Sequence, residues 1–161
     1  MNVAIVFVVV LALLFGLAYF TKRKFGALGL ALAAGSILSE LWADKLTPLV
    51  AEAGLSVARP PLITIVSVAL VLLPAIVLLF SGPSYREAPL RLVGATLFAA
   101  LAFALLIEPL GSALVLQGQG KVIYDFFAEN QVYIVTIGLI LAVLDLVATH
   151  TGRRYPRSSK H

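Results

Sequence analysis

Three consecutive cations, Lys22-Arg23-Lys24, stand between two long apolar stretches, and they limit how this chain can fold more than any other feature. Cations are expensive to place in hydrocarbon, so the turn between the two stretches must lie at one side of a membrane. The first stretch, Asn2–Phe20, has its cations after it and is longer than the apolar part of a signal peptide. We therefore interpret it as a retained span.

Apolar stretches of nearly spanning length recur along the chain. Hydrophobic residues make up 61% of the sequence and charged residues 12%, against about 45–50% and about 25% in soluble domains. Crossing a hydrocarbon core about 30 Å thick takes roughly 20 residues of helix. The sequence therefore predicts an all-α polytopic transmembrane bundle, one domain over residues 1–161, with about five spans at Asn2–Phe20, Phe25–Trp42, Leu62–Ser81, Leu90–Ile107 and Val132–His150.

The distribution of positive charge predicts the orientation. With five spans, most of the 12 basic residues fall on one side, including Lys22, Arg23, Lys24, Arg91 and those of the tail 151–161. Short loops rich in Lys and Arg face the cytoplasm. We expect a multi-pass protein with its N-terminus outside and its C-terminus in the cytoplasm. The cations flank apolar spans, so lipid rather than nucleic acid is the expected partner.

The two connections on the outer side are amphipathic. In Asp44–Leu55 and in Gly120–Asn130, apolar residues recur at helical spacing. This pattern predicts short helices lying at the outer interface. Irregular loop structure is the alternative.

Small residues recur every fourth position in the second span. The spacing lets helix backbones approach closely in lipid, and it predicts a helix-packing face at Ala27, Ala31, Gly35 and Ser39. The fourth span has a looser version of the same pattern. We expect these two helices to form the packed centre. The general abundance of Ala and Gly in membrane helices is the alternative explanation.

A weak internal repeat supports this centre. When Gly26 is placed on Gly94, several residues of the second and fourth spans match, including Glu40 with Glu108. Each unit has a helix, a basic inner loop and a small-residue helix that ends near a glutamate. This predicts two parallel repeats, with Gly94 as a further packing position.

Three carboxylates are the candidate functional residues. Asp145 lies inside the fifth span, where a charge is costly and needs a partner or a function. It is either a structural carboxylate that meets Thr149 or a rim cation (Lys22, Arg23 or Arg91), or a protonatable relay. Glu40 and Glu108 end the second and fourth spans, and the repeat predicts that they face each other near the outer mouth. There they could bind a cation or share a proton, or they could simply mark the interface.

Other chemistry finds little support in the sequence. There is no cysteine, and His150 and His161 lie at the end of the last span and at the last residue. The sequence contains none of the usual hydrolase, zinc-protease or P-loop motifs. We therefore expect no enzyme activity, no cofactor and no metal site.

Two segments resemble the colicin V production protein family of the bacterial inner membrane. They are Lys22-Arg23-Lys24-Phe25-Gly26 after the first span and Arg91-Leu92-Val93-Gly94 at the start of the fourth. The resemblance covers about residues 1–130. It implies a non-enzymatic role in toxin export and envelope homeostasis. Family members usually have four spans, so the fifth is an addition.

Three functional hypotheses follow. The first is a non-catalytic inner-membrane protein that acts by helix packing with itself or with other membrane proteins. The second is a small ion- or proton-coupled transporter or channel that uses Asp145, with Glu40 and Glu108 as outer ligands. The third is an accessory subunit of a membrane complex.

Overall fold

The computed structural model describes residues 3–55, 57, 60–81, 84–85, 87–113 and 118–151, and every regular element within them is an α-helix. The predicted all-α fold is confirmed. The tail 152–161, which holds most of the predicted basic tail, lies outside the described residues. The five helices are α1 (Val3–Thr21), α2 (Phe25–Glu52), α3 (Leu62–Ser81), α4 (Ala88–Ala113) and α5 (Gln119–Thr151).

Four of these helices, α2 to α5, are long and apolar enough to cross a membrane. The apolar part of α1, Ile5–Thr21, is shorter. Large apolar side chains cover the outside of the bundle, and Phe20 and Phe80 are 79% and 80% exposed. Such a surface is costly in water and stable in lipid. The helix lengths and this surface together indicate a helical membrane bundle.

The two amphipathic segments are helical, but they are not separate helices. Asp44–Glu52 continues α2, and Gly120–Asn130 is the first part of α5. No glycine or proline separates either segment from its span, so the helical hydrogen bonds continue through the junction. At about 1.5 Å per residue, the 28 residues of α2 and the 33 of α5 are longer than a hydrocarbon core about 30 Å thick.

Helices α2 and α4 are at the centre of the bundle. Helix α4 packs against all four other helices, and α2 packs against α3, α4 and α5. The core is built mainly from their side chains, including Phe25, Leu32, Phe98, Leu101 and Leu106, each at most 1% exposed. The small residues of α2 and α4 therefore lie within one chain, where they let these two helices approach their neighbours.

The helix contacts relate the two units of the internal repeat. The first helix of each unit packs along the second helix of the other unit, α1 on α4 and α3 on α2. The two basic connections meet in an antiparallel bridge between Arg23 and Ser84. Helix α5 lies outside this pseudo-symmetric set and packs against α2, α4 and, less extensively, α1.

We call the end of the bundle that carries residues 21–25, 81, 84–85 and 87–88 the basic end, and the opposite end the acidic end.

Candidate functional site

A polar cavity of about 490 Å³ opens between helices at the acidic end. We call it the vestibule. Helices α2, α3 and α4 form most of its wall, and α5 contributes Gln131. Its lining is Ser36, Ser39, Glu40, Ala43, Asp44, Ile63, Thr64, Ser67, Val71, Leu105, Glu108, Pro109 and Gln131.

The two repeat glutamates share this cavity. Glu40 and Glu108 both line the vestibule, together with a third carboxylate, Asp44, one turn beyond Glu40 on α2. All three residues are exposed. Within the described residues, no three carboxylate or histidine side chains lie close enough together to hold a metal ion. The arrangement is a wide acidic surface rather than a tight ligand cage.

The vestibule reaches about half-way into the bundle. Ser36 is 11 residues after Phe25, the first residue of α2, or about 16 Å along the helix axis. The neighbouring Gly35 is the point where α2 lies against α3. A Cβ atom on Gly35 would meet the Val71 carbonyl and would lie 2.9 Å from the Leu70 oxygen. Beyond this contact, towards the basic end, the interior is the apolar core.

Two residues of the vestibule lining, Leu105 and Asp44, have backbone carbonyls without their regular helical donor. Pro109 has no N–H group for the carbonyl of Leu105, and Pro48 has none for the carbonyl of Asp44. Leu105, Pro109 and Asp44 all line the cavity. Carboxylates, hydroxyl groups and carbonyl oxygens that lack their regular helical donor are the chemistry that binds cations at membrane depth.

A second polar group lies at the basic end, around the start of α2. Its N-cap residue, Lys24, makes no capping hydrogen bond with its side chain. The Gly26 N–H donates instead to Asp145 Oδ2 of α5 at 2.8 Å, and the Phe25 N–H donates to the Tyr85 hydroxyl at 3.1 Å. The Tyr85 hydroxyl in turn donates to the same Asp145 oxygen at 3.0 Å. We call Phe25, Gly26, Tyr85 and Asp145 the clasp.

The clasp performs the capping that α2 cannot perform with its own residues. The first N–H groups of a helix have no partner within it, and a carboxylate at this end is favoured by the helix dipole. Burial raises the pKa of Tyr85 to about 12, and the nearby Asp145 charge adds to this rise. The phenol is therefore a hydrogen-bond donor at neutral pH.

Close packing leaves little room around the clasp. A Cβ atom on Gly26 would lie 2.6 Å from the Ala142 carbonyl oxygen and 3.0 Å from Asp145 Oδ2. A Cβ atom on Gly94 would lie 2.7 Å from the Tyr85 ring. The two glycines that the repeat aligns therefore make room for the two sides of the clasp. Lys24 Nζ lies over the Tyr85 ring, 5.8 Å from its centroid.

Two arginines cap helix C-termini at the same end. Arg23 Nε donates to the Leu79 carbonyl at 2.8 Å, and its terminal nitrogen donates to the Phe80 carbonyl at 2.7 Å. Arg91 donates to the Tyr19 carbonyl at 3.1 Å and stacks on the Tyr19 ring. Each unit's arginine thus caps the first helix of the other unit. Cations at helix C-termini also complement the helix dipole.

The structure places the small residues, the basic residues and Asp145, all singled out in the sequence, in different surroundings. Ala31 and Gly35 are buried, Ala27 is half-buried and Ser39 faces the vestibule. Gly94 lies against Tyr85, a residue of the α3–α4 connection. Lys22 is exposed, Arg23 and Arg91 cap helix C-termini, and Lys24 lies over the Tyr85 ring. Asp145 belongs to the clasp at the basic end and is not among the residues that line the vestibule at the acidic end.

Asp145 accepts hydrogen bonds from the Gly26 N–H and the Tyr85 hydroxyl, and neither group was among the partners expected from the sequence. The side chain of Thr149 lies outside the described residues. Sequence reasoning missed Tyr85, Asp44 and Ser36. One available signal was the missing cap in Lys24-Phe25-Gly26, because a buried helix start needs an acceptor from elsewhere.

A scan against models of protein families and searches of curated proteins and of solved structures found no match to this chain.

Proposed function

We propose that this chain is a non-enzymatic integral membrane protein that admits small cations into its vestibule and passes them across the membrane. The observation that carries the proposal is the vestibule itself, with Glu40, Asp44 and Glu108 on its wall. Carboxylates at membrane depth are found mainly where they face a water-filled cavity, and they commonly mark a pathway for ions or protons. Serine and threonine hydroxyl groups add further polar atoms to the lining.

In this proposal the acidic end faces outside and the basic end faces the cytoplasm, as the positive charge of the short loops favours. Acidic groups at an outer mouth raise the local concentration of cations and exclude anions. The ligands are the vestibule carboxylates. Asp145 is not among them, because its Oδ2 accepts hydrogen bonds from Gly26 and Tyr85 at the other end.

Purified protein in proteoliposomes tests this function. Uptake of labelled sodium, rubidium and methylammonium is measured for the wild type, for the Glu40→Gln/Glu108→Gln variant and for Asp125→Asn/Glu129→Gln. Asp125 and Glu129 are acids of α5 outside the vestibule lining, so their joint loss matches the change in net charge. We expect uptake of at least one cation by the wild type, reduced tenfold or more in Glu40→Gln/Glu108→Gln only. Background uptake of all three cations by the wild type would refute the proposal.

A second candidate is a role like that of the colicin V production family. The segments that resemble the family, Lys22–Gly26 and Arg91–Gly94, both take part in the network at the basic end. This favours a similarity to that family in the architecture of the basic end. The small-residue face of α2 contacts helices of its own chain, so assembly with other proteins would use a different surface. Purification in mild detergent, followed by identification of co-purifying chains, tests this candidate.

A further inference from the structure

In the described part of the chain, the residues of α2 that line the vestibule begin at Ser36, and none lies closer to the basic end. The floor of the vestibule is formed where α2 meets α3 at Gly35, and below that contact lie core residues such as Leu28, Leu32 and Leu101, each at most 1% exposed. A cation that enters the vestibule therefore needs a rearrangement of the basic half of the bundle to leave on the other side. The contacts that hold the basic half together decide where it can open.

We propose that the clasp is the gate of the basic end: Tyr85 and Asp145 hold the start of α2 closed against α5, and breaking their contacts opens this half of the bundle to water. This inference rests on the proposed function. It adds the residues that control the second opening.

The connectivity of the clasp supports a gate. The Gly26 N–H and the Tyr85 hydroxyl both donate to a single oxygen, Asp145 Oδ2. The same hydroxyl accepts from the Phe25 N–H. One carboxylate oxygen thus joins three segments that are far apart in the sequence: the start of α2, the α3–α4 connection and α5. Loss of that contact removes a link that all three segments share.

The helices of the clasp are also the helices of the vestibule. Helix α2 carries Gly26 at its start and Glu40 just past its midpoint, and α5 carries Asp145 and the vestibule residue Gln131. Gln131 also donates to the Ala104 carbonyl of α4 at 3.2 Å. A shift of α2 relative to α5 at the clasp therefore changes the vestibule wall as well. Two-state changes of this kind are how packed helices couple distant sites.

The absence of cysteine from the sequence makes a sensitive test available. Ala95→Cys on α4 places one thiol at a core position that is 2% exposed, and Ala75→Cys on α3 provides a second reporter at 1%. Each is combined with Tyr85→Phe, with Asp145→Asn, or with Tyr124→Phe as the control. Tyr124 undergoes the same chemical change near the acidic end. A membrane-impermeant maleimide is added from either side of membrane vesicles, and the rate of thiol labelling is measured.

We expect Tyr85→Phe and Asp145→Asn to raise labelling from the basic-end side tenfold or more, and Tyr124→Phe to leave it at the parent rate. Equal labelling in all variants would overturn the gate. A rise from both sides together with a large loss of thermal stability would also overturn it, because the clasp would then be a fold-stabilising cap. Thiol labelling requires no cation movement. If the wild type shows no cation uptake but the variants show the expected labelling, the transport function is refuted and the gate is retained.

Discussion

Lys22 is, among the described residues, the one non-glycine residue with a positive φ, at 58°. It follows the last residue of α1, and its carbonyl accepts a hydrogen bond from the Tyr85 N–H at 2.7 Å. A left-handed residue after a helix is usually glycine, because a Cβ atom makes this conformation unfavourable. Here the position holds a lysine, so a cation at the rim was kept at some cost in backbone strain.

We therefore predict that Lys22→Gly is more stable than Lys22→Ala by about 1 kcal/mol. Both changes remove the same charge and the same long side chain, so their difference reports the backbone conformation. The unfolding midpoint in mixed detergent micelles measures it. If alanine proves as stable as glycine, Lys22 is not held in the left-handed conformation.

The guanidinium of Arg23 gives a second prediction at this scale. Its two donors reach two successive carbonyls, those of Leu79 and Phe80, and a lysine has no such fork. Arg23→Lys keeps the charge but should lower stability by about 1 kcal/mol. The reverse exchange at the exposed neighbour, Lys22→Arg, should have little effect. Similar losses for both variants would mean that charge, rather than the paired hydrogen bonds, determines stability at this turn.

Single residues also show where sequence reasoning stops. The cost of a charge in a span marked Asp145 as a residue that needs a partner, and the structure supplies two donors. The identity of those donors depends on how the α3–α4 connection folds back against α2. No periodicity in the sequence encodes that contact, so Tyr85 was not found.

At the scale of helices, Gly35 sets how closely α2 and α3 approach. A Cβ atom there would meet backbone atoms of α3, 2.8 Å from the Val71 carbonyl carbon and 2.9 Å from the Leu70 oxygen. Backbone cannot rotate away as a side chain can. We expect Gly35→Ala to separate the two helices and to destabilise the fold by about 2 kcal/mol or more.

Gly16→Ala is the matched control for this prediction. In α1 the nearest atom to a Cβ on Gly16 is Phe20 Cε2, at an ordinary 3.9 Å. Alanine has the higher helix propensity, so this change should be neutral or stabilising by up to about 1 kcal/mol. Unfolding in mixed micelles compares the two variants. Equal effects would contradict the close contact of α2 with α3.

The helix boundaries were predicted well where charged or turn-forming residues separate two apolar stretches. The cations at residues 22–24 separate α1 from α2, and α3 has the predicted bounds Leu62–Ser81. Hydropathy failed where an apolar span passes into an amphipathic segment, as at Asp44 in α2 and Gln131 in α5. Hydropathy records where a helix leaves hydrocarbon, whereas a helix ends where its backbone hydrogen bonds end.

For the whole molecule, the repeat was the most informative weak signal. It placed Glu40 and Glu108 together, and both line the vestibule. It could not show that the units exchange partners, with Arg23 capping α3 and Arg91 capping α1. Such reciprocal caps depend on which helices pack together. The most extensive pairs are α2 with α3 and α1 with α4. Side-chain contacts determine this pairing, and hydropathy does not record it.

Charge and the number of crossings predict the orientation of the bundle. Five antiparallel helices that all cross would place the two chain ends on opposite faces, and from the cations of the short loops we expect the basic end to face the cytoplasm. Because the chain has no cysteine of its own, Asn2→Cys and Ser159→Cys each introduce one thiol. We expect an impermeant maleimide to label Asn2→Cys in intact cells and Ser159→Cys only after permeabilisation. Labelling of both in intact cells, or of neither, would mean an even number of crossings. Helix α1, the shortest apolar helix of the five, would then lie along the membrane, and Arg91 would cap a helix at the surface instead of one that crosses.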